Sequence, residues 1–409
     1  MNKKVKEAIK KVVPVNMLRW YRDKVNQFRL NQMGKIEKVP FDKEAFPMGI
    51  NLVGSFSHDS GLGQSCRLVA KELDRTDIPH NFIDFSVSAD IPHSNHEFDG
   101  RYSTEYKYGI NLFHINMHEF DKAYRMIGKE TWNKHYNIAF WLWEMQEFPK
   151  RWIPMINQLD EIWTPAEFVS EAVRKVTDKP VYTIPYTVEA PYDEKYDRKH
   201  FDLPEDKFLF LMLFDSNSLS ERKNPKAVIK AFKKAFPAGT DDVGMVIKIG
   251  NAGKKELDEL RQSLEGYNVY YINRMLPKVE VNSLVRCVDV YVSLHRSEGY
   301  GLVLAEAMLL GTPTIATNYS ANTEFQSNET ACMVDCKMIP LQQNLYPYEK
   351  GYLWADADTD QAAAYMKELY SNKEKYEEIK TAALKYMTDE ARTADPIHIM
   401  EKLTEQIYK

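Results

Sequence analysis

The sequence has no run of eighteen apolar residues anywhere in its 409 positions, which excludes a membrane-spanning helix from its architecture. Its start lacks an apolar segment followed by a small-residue cleavage site, so secretion through a signal peptide is not expected. Cysteine is scarce. Cys66, Cys287, Cys332 and Cys336 are too scattered to form a disulfide framework. Cys332 and Cys336 stand close together, but no second pair or nearby histidine completes a metal site, so buried thiols in a reducing cytoplasm are the simpler reading. Internal repeats and low-complexity tracts are missing as well. A global surplus of positive charge is also absent: the net charge is −5, which argues against nucleic acid as the main partner.

That total hides an asymmetry. Residues 1–40 carry eleven Lys and Arg against Glu7, Asp23 and Glu37, a net +8, so the remainder carries −13. Within 1–45, Val5, Ile9, Val12, Val13, Leu18, Tyr21 and Val25 recur at roughly helical spacing between basic residues, and Pro14 divides the run. Two readings stay open: a helical extension that packs on a partner or stays solvated, and a basic amphipathic contact with an anionic membrane face.

At this length two domains are the natural expectation. From residue 46 the pattern turns to alternating strands and helices. GINLVGSF, HNFIDF, YGINLFHIN, YNIAFWLW, EIWTP and VYTIP read as short buried strands, with amphipathic stretches such as CRLVAKELDR between them. The polar, Pro-bearing segment 191–207 reads as a linker, which ends a first unit at 190. A second series follows over 208–385: KFLFLMLFD, GMVIKIG, VYYINRML, VDVYVSLH, TPTIAT and ETACMVD, with helices between. A last amphipathic helix is expected within 386–409, packing back on the first unit. Two doubly wound α/β domains place a ligand cleft between them, at the carboxyl ends of their strands.

The stretch 288–325 carries the chemistry. A buried strand ends at Ser293, a polar loop holds Glu298, and Gly299 and Gly301 bracket a helix start. A helix N-terminus with free N–H groups and a partial positive charge suits an anion such as a nucleotide diphosphate. Glu298 and Glu306, about two turns apart, could bridge separate parts of one long ligand. The bland alternative is an acid at a helix start together with a surface glutamate.

The segment SLHRSEGYGLVLAEAMLLGTP resembles the E-x7-E region of retaining GT-B glycosyltransferases, the family 4 group in particular. The resemblance spans the second domain and, more loosely, the first. It implies a GT-B fold of two Rossmann-like domains and transfer with retention from a nucleotide sugar, with no cofactor and no obligate metal. It puts Glu298 beside the donor sugar and leaving phosphate, and Glu306 on the ribose. The backbone of Gly299, Tyr300, Gly301 and Leu302 would lie around the diphosphate, close to Ser293. Arg222 and Lys223, in FDSNSLSERKNPKAV, match the basic loop that would meet the leaving group. Gly61 and Gly63 in HDSGLGQS match the glycine loop of the first domain, although a plain tight turn would look the same.

The sequence departs from that family where many relatives place an active-site histidine, since NIAFWLWEMQEFP has none. Glu144 is the polar candidate near the acceptor, and Trp141 or Trp143 could stack on a sugar ring, with plain core packing the expected role of at least two of these tryptophans. His114 and His118, one strand earlier, are the other candidates. Asp356, Asp358 and Asp360 form a DxD-like run, read as following no strand and therefore not as a metal site.

The expected partners are a nucleotide sugar and a glycan, lipid-linked or protein acceptor, at the cytoplasmic side of the membrane. The expected function is glycosyl transfer in the assembly of a cell-surface polysaccharide or glycoconjugate. A nucleotide-sugar epimerase and a non-catalytic subunit of a partner enzyme are the alternatives.

Overall fold

The structure is a computed structural model, and it describes residues 24–25, 27–86, 94–216 and 219–409. The expected basic extension lies largely outside the described residues. Within them, 27–33 is helical, and Gln158 fastens its end by donating to the carbonyls of Met33 and Ile36.

Two six-stranded parallel sheets form the described body, one per half of the chain. The first contains β1 (Ile50–Gly54), β2 (His80–Asp84), β3 (Ile110–His114), β4 (Tyr136–Phe140), β5 (Glu161–Thr164) and β6 (Val181–Thr183), in the order β2-β1-β3-β4-β5-β6. The second contains β7 (Phe208–Asp215), β8 (Val243–Gly250), β9 (Val269–Asn273), β10 (Val290–Ser293), β11 (Thr314–Thr317) and β12 (Cys332–Val334), in the order β12-β11-β10-β7-β8-β9. Every expected strand forms. Helices cover the sheets, which is why β8, VGMVIKIG, is buried at all eight positions and reads as an apolar run interrupted only by Lys248.

The helices follow from local chemistry. The helix Gly61–Asp74 starts at Ser60, whose hydroxyl accepts from the Gly63 N–H, and it buries Leu68, Val69, Glu72 and Leu73. The helix Pro225–Ala235 begins on a proline, buries Val228, Ala231, Phe232 and Ala235, and turns Lys226, Lys230, Lys233 and Lys234 outward or to its margins.

Three amides share one level of the first sheet. Asn51, Asn111 and Asn137 sit side by side on β1, β3 and β4 and are fully buried. Asn51 donates to Asn111 at 2.9 Å, Asn111 to Asn137 at 3.1 Å, and Asn137 to the Trp132 carbonyl at 2.8 Å. Buried polar groups are tolerated when paired in this way, and a one-residue slip of any of these strands would break its asparagine's pairing with the neighbouring strand.

The segment joining the two sheets is pinned along its length. Arg198 donates to the carbonyls of Cys287, Pro204 and Lys207 and pairs with Asp289 at 2.9 Å. After β12 the chain forms an antiparallel hairpin, β13 (Cys336–Pro340) with β14 (Leu353–Ala357). Asp356 therefore lies on a strand, which corrects the reading that the acidic run follows none. Its carboxylates are otherwise engaged: Asp356 pairs with Arg296, Asp358 caps the helix Thr359–Ser371, and Asp360 pairs with Lys234.

The final helix, Glu390–Tyr408, returns to the first half of the molecule. Tyr408 packs edge-on against Phe41, and its hydroxyl donates to the Pro47 carbonyl at 3.3 Å. Among the described residues no helix is long and apolar enough to cross a membrane.

Candidate active site

Each sheet changes winding direction once, between β1 and β3 in the first and between β7 and β10 in the second. A crevice opens outside the carboxyl ends of the strands at such a point. Here the two crevices face each other as one cleft of about 350 Å³. Leu213 to Asp215, Tyr291 and Ser293 line it from the ends of β7 and β10, and Gly61, Leu62, Asn116, Leu142 and Glu144 line it from the first domain.

Glu298 lies at its centre in the loop after β10. Its backbone is fixed at both ends, the N–H donating to Ser320 Oγ at 2.9 Å and the carbonyl accepting from Ala321 at 3.3 Å. Its side chain meets two cations: Lys223 Nζ at 2.5 Å and Arg222 Nη1 at 3.0 Å. Burial alone would raise the Glu298 carboxyl, but Lys223 and Arg222 together hold it well below the usual carboxylate range. Burial likewise opposes the charge on Arg222, and Glu298 more than reverses it. The glutamate is therefore ionised at any physiological pH. Arg222 also donates to the Ser297 carbonyl at 2.8 Å, so its guanidinium is aimed by the same loop.

The helix Leu302–Leu309 starts beside this cluster. No side chain caps it, and its first turn holds no acid. Gly301 precedes it with φ of +95°, a conformation that favours glycine, and residues 301–304 line the cleft. Gly299 fits for a different reason: a Cβ there would sit a tight 3.0 Å from the Trp143 carbonyl oxygen of the opposite domain. Tyr300 is buried, its ring edge-on to Tyr186 at 4.7 Å. The result is an uncapped helix start next to two cations, the arrangement that receives an anion.

Glu306 is fully buried farther along that helix and does not line the cleft. Burial raises its carboxyl, and the charge of Lys278, bonded to Oε2, opposes that rise. Oε1 has no partner. Lys278 carried no sequence signal, since it lies 28 positions away and meets Glu306 only through the packing of helix Lys278–Cys287.

Several candidates of the first domain have other duties. Trp141 and Trp143 present no face to the cleft, because both are fully buried: Trp141 stacks on Phe148, and Trp143 packs on Trp152 and donates to the Glu147 carbonyl. His114 is buried too, with Nε2 2.7 Å from Ser65 Oγ and its ring stacked on Phe140, and burial lowers it to about 3. His118 is exposed and lines a separate hollow with Asp121, Arg151 and Tyr346. Gly63 faces away from the cleft, since a Cβ would meet the His58 carbonyl at 2.2 Å and its N–H is taken by Ser60. Gly61 does reach the cleft.

Glu144 is brought to the site, with Oε1 3.8 Å from Arg222 Nη2 and Oε2 accepting from Tyr348 at 3.0 Å. Asn116 joins it, its Oδ1 accepting from the Leu142 N–H. Neither Asn116 nor Tyr348 carried a sequence signal. Among the described residues no group of three or more His, Cys, Asp and Glu side chains could hold a metal ion.

Residues 193–386, just under half the chain, match the family model described as glycosyl transferases group 1. The part of the chain that holds Glu298, Arg222 and Lys223 is thus the part similar to that group. No curated protein matches the chain in sequence. Among solved structures, the Anabaena protein HepE in complex with UDP-glucose is similar with a TM-score of 0.62 at 12% identity, over 88% of this chain and 99% of that one. Sucrose-phosphate synthase from Thermosynechococcus elongatus gives 0.63 at 13% identity, over 88% and 99%. A glycosyltransferase from Rickettsia africae gives 0.57 at 13% identity, over 91% and 100%. At such identities the likeness establishes the fold, which is GT-B.

Proposed function

We propose that this protein transfers a sugar from a nucleoside diphosphate donor to an acceptor hydroxyl with retention of anomeric configuration. The observation that carries the reading is the cluster of Glu298, Arg222 and Lys223 at an uncapped helix start, inside the cleft between two doubly wound domains. A departing nucleotide diphosphate needs cations and N–H dipoles already in place, and such preorganised groups contribute most in a site that excludes water. Arg222 and Lys223 would share their charge between Glu298 and the diphosphate, and Glu298 would accept from hydroxyls of the donor sugar. The unpartnered Oε1 of Glu306 is an acceptor awaiting a donor, which fits a ribose hydroxyl once Lys278 yields room.

The match of the second domain to group 1 glycosyl transferases and the UDP-glucose complex of HepE both support a nucleotide-sugar donor. The reading extends to cell-surface polysaccharide or glycoconjugate assembly on a glycan, lipid-linked or protein acceptor. Residues 1–40, at net +8, would contact an anionic membrane face there. No cofactor and no obligate metal enter this reading.

A panel of UDP-, GDP- and ADP-sugars tested by thermal shift decides the donor, because a bound ligand raises the melting temperature by mass action. The reading fails if none of them shifts it. Glu306→Ala should weaken nucleotide binding, and unchanged binding would remove the ribose assignment. NMR of the product reports its anomeric configuration and separates transfer from epimerisation.

A further inference from the structure

The connector between β13 and β14 belongs to the second half of the chain, yet its side chains rest on the first domain. Tyr348 is 4% exposed, and its ring lies 5.4 Å from that of Trp143. Arg151 of the first domain donates to the Pro347 carbonyl, approaches Glu349 at 3.6 Å and lies 5.3 Å over the Tyr346 ring. The connector is internally braced: Tyr348 N–H donates to Leu345 at 2.7 Å, and Gly351 N–H to Leu341 at 2.9 Å. It is an ordered strap laid across the domain boundary.

One of its bonds reaches the cleft. Tyr348 donates its hydroxyl to Glu144 Oε2 at 3.0 Å, which leaves Oε1 as the oxygen nearer Arg222. Burial pushes the Tyr348 hydroxyl well above its ordinary range, so it keeps its proton and remains a donor. The Glu144 backbone is held as well, its carbonyl accepting from Ser297 Oγ of the loop that carries Glu298. Glu144 of the first domain is thus held by two groups of the second, Tyr348 at its carboxylate and Ser297 at its backbone.

We propose that Tyr348 is the positioning residue for Glu144, holding its carboxylate ready to accept from the incoming acceptor hydroxyl. This rests on the glycosyl-transfer reading above. The acceptor half of the site is then complete only while the strap lies on the first domain, and neither domain alone can bind acceptor productively.

Tyr348→Phe, Glu144→Gln and the double variant test this. A hydrogen bond to a charged group is lost in Tyr348→Phe, so kcat/KM for the acceptor should fall roughly tenfold. The donor Kd should not change, because Tyr348 touches none of Arg222, Lys223 and Glu298 by a hydrogen bond. In the Glu144→Gln background Tyr348→Phe should cost little more, since it acts through the group already altered. Independent losses that multiply in the double variant would overturn the proposal.

Hydrogen exchange on the unliganded protein gives a readout that needs no substrate. Amides of 345–351 should exchange faster in Tyr348→Phe, and unchanged exchange overturns the anchoring whatever the donor screen gives. If wild-type protein binds no nucleotide sugar, the transfer reading falls, and an exchange difference would identify that failure as separate from the strap contact.

Discussion

The two walls of the cleft are built from different materials. The second-domain wall holds formal charges, Arg222, Lys223 and Glu298, within 3.0 Å of one another through the glutamate. Behind the first-domain wall lies aromatic mass, Trp132, Trp141, Trp143, Trp152 and Phe148, and the polar side chains that reach the cleft from it are Asn116 and Glu144. A diphosphate has to be met by charge that is already fixed in place. A neutral hydroxyl needs a rigid surface and one or two acceptors. The contrast assigns leaving-group chemistry to one wall and acceptor placement to the other.

Glu298→Ala should break this contrast most strongly. It removes the nearer counter-charge of buried Arg222 and leaves only the more distant Glu144 at 3.8 Å, and removing one partner of a buried pair costs about 3–5 kcal/mol. Urea unfolding measures that loss, and transfer should fall on the order of a hundredfold or more as preorganised charge is lost. Wild-type rates would show that the charged wall is not where the leaving group goes.

Trp141→Ala tests the other wall. Its stability cost should reach about 3–5 kcal/mol, as for other buried aromatic truncations. If the ring belongs to the core, donor affinity measured by calorimetry stays at the wild-type value. A selective loss of acceptor binding without destabilisation would restore it as a sugar platform.

A third measurement separates the domains by pH. Glu72, buried under the first domain's edge, accepts from the Thr187 N–H, and burial pushes its carboxyl up to about 8 from an ordinary 4.5. The folded protein keeps a proton that the unfolded chain has released, so stability falls as pH rises from about 4.5 to 8 and then levels. Glu72→Gln should flatten the melting temperature over that window while still accepting from Thr187. Glu298, with its carboxyl held low, contributes the reverse sign: its stabilisation is present above pH 4.5 and is lost progressively as pH falls below that. A decline of equal slope in both proteins would remove Glu72 as its cause.

The smallest expected effect lies far from the cleft. Asp358 caps the helix Thr359–Ser371 by accepting from Asp360 and Gln361, and Asp358→Ala should cost about 1 kcal/mol. Transfer rates should be unaffected. A drop in activity reversed by added divalent cation would instead reopen a metal role for the acidic run.

The strands were legible because a parallel sheet covered on both sides needs apolar runs such as KFLFLMLFD, and no tertiary knowledge is required to see them. Glu298 was legible for a related reason: its neighbours Gly299 and Gly301 mark a tight approach and a left-handed turn in the sequence itself. The tryptophans kept two readings open, core packing and sugar stacking, because a residue type suited to sugars is equally suited to a core, and composition cannot tell which side of a β-strand end faces solvent. His118 and Gly63 failed, one on the outer turn of a helix and the other used up by its own cap. Lys278, Asn116 and Tyr348 gave no signal at all. Each matters through a partner 26 to 204 residues away, and such pairings depend on how finished elements pack.

The helix Glu390–Tyr408 has a mechanical consequence. The chain passes between the two halves once through the segment pinned by Arg198 and again on its way to the helix that ends at Phe41 and Pro47. A body joined to another at two separate points can rotate freely only about the line through them. Two crossings of the chain restrict the relative placement of the two halves more than one would, and the strap carrying Tyr348 adds a noncovalent tie across the same boundary.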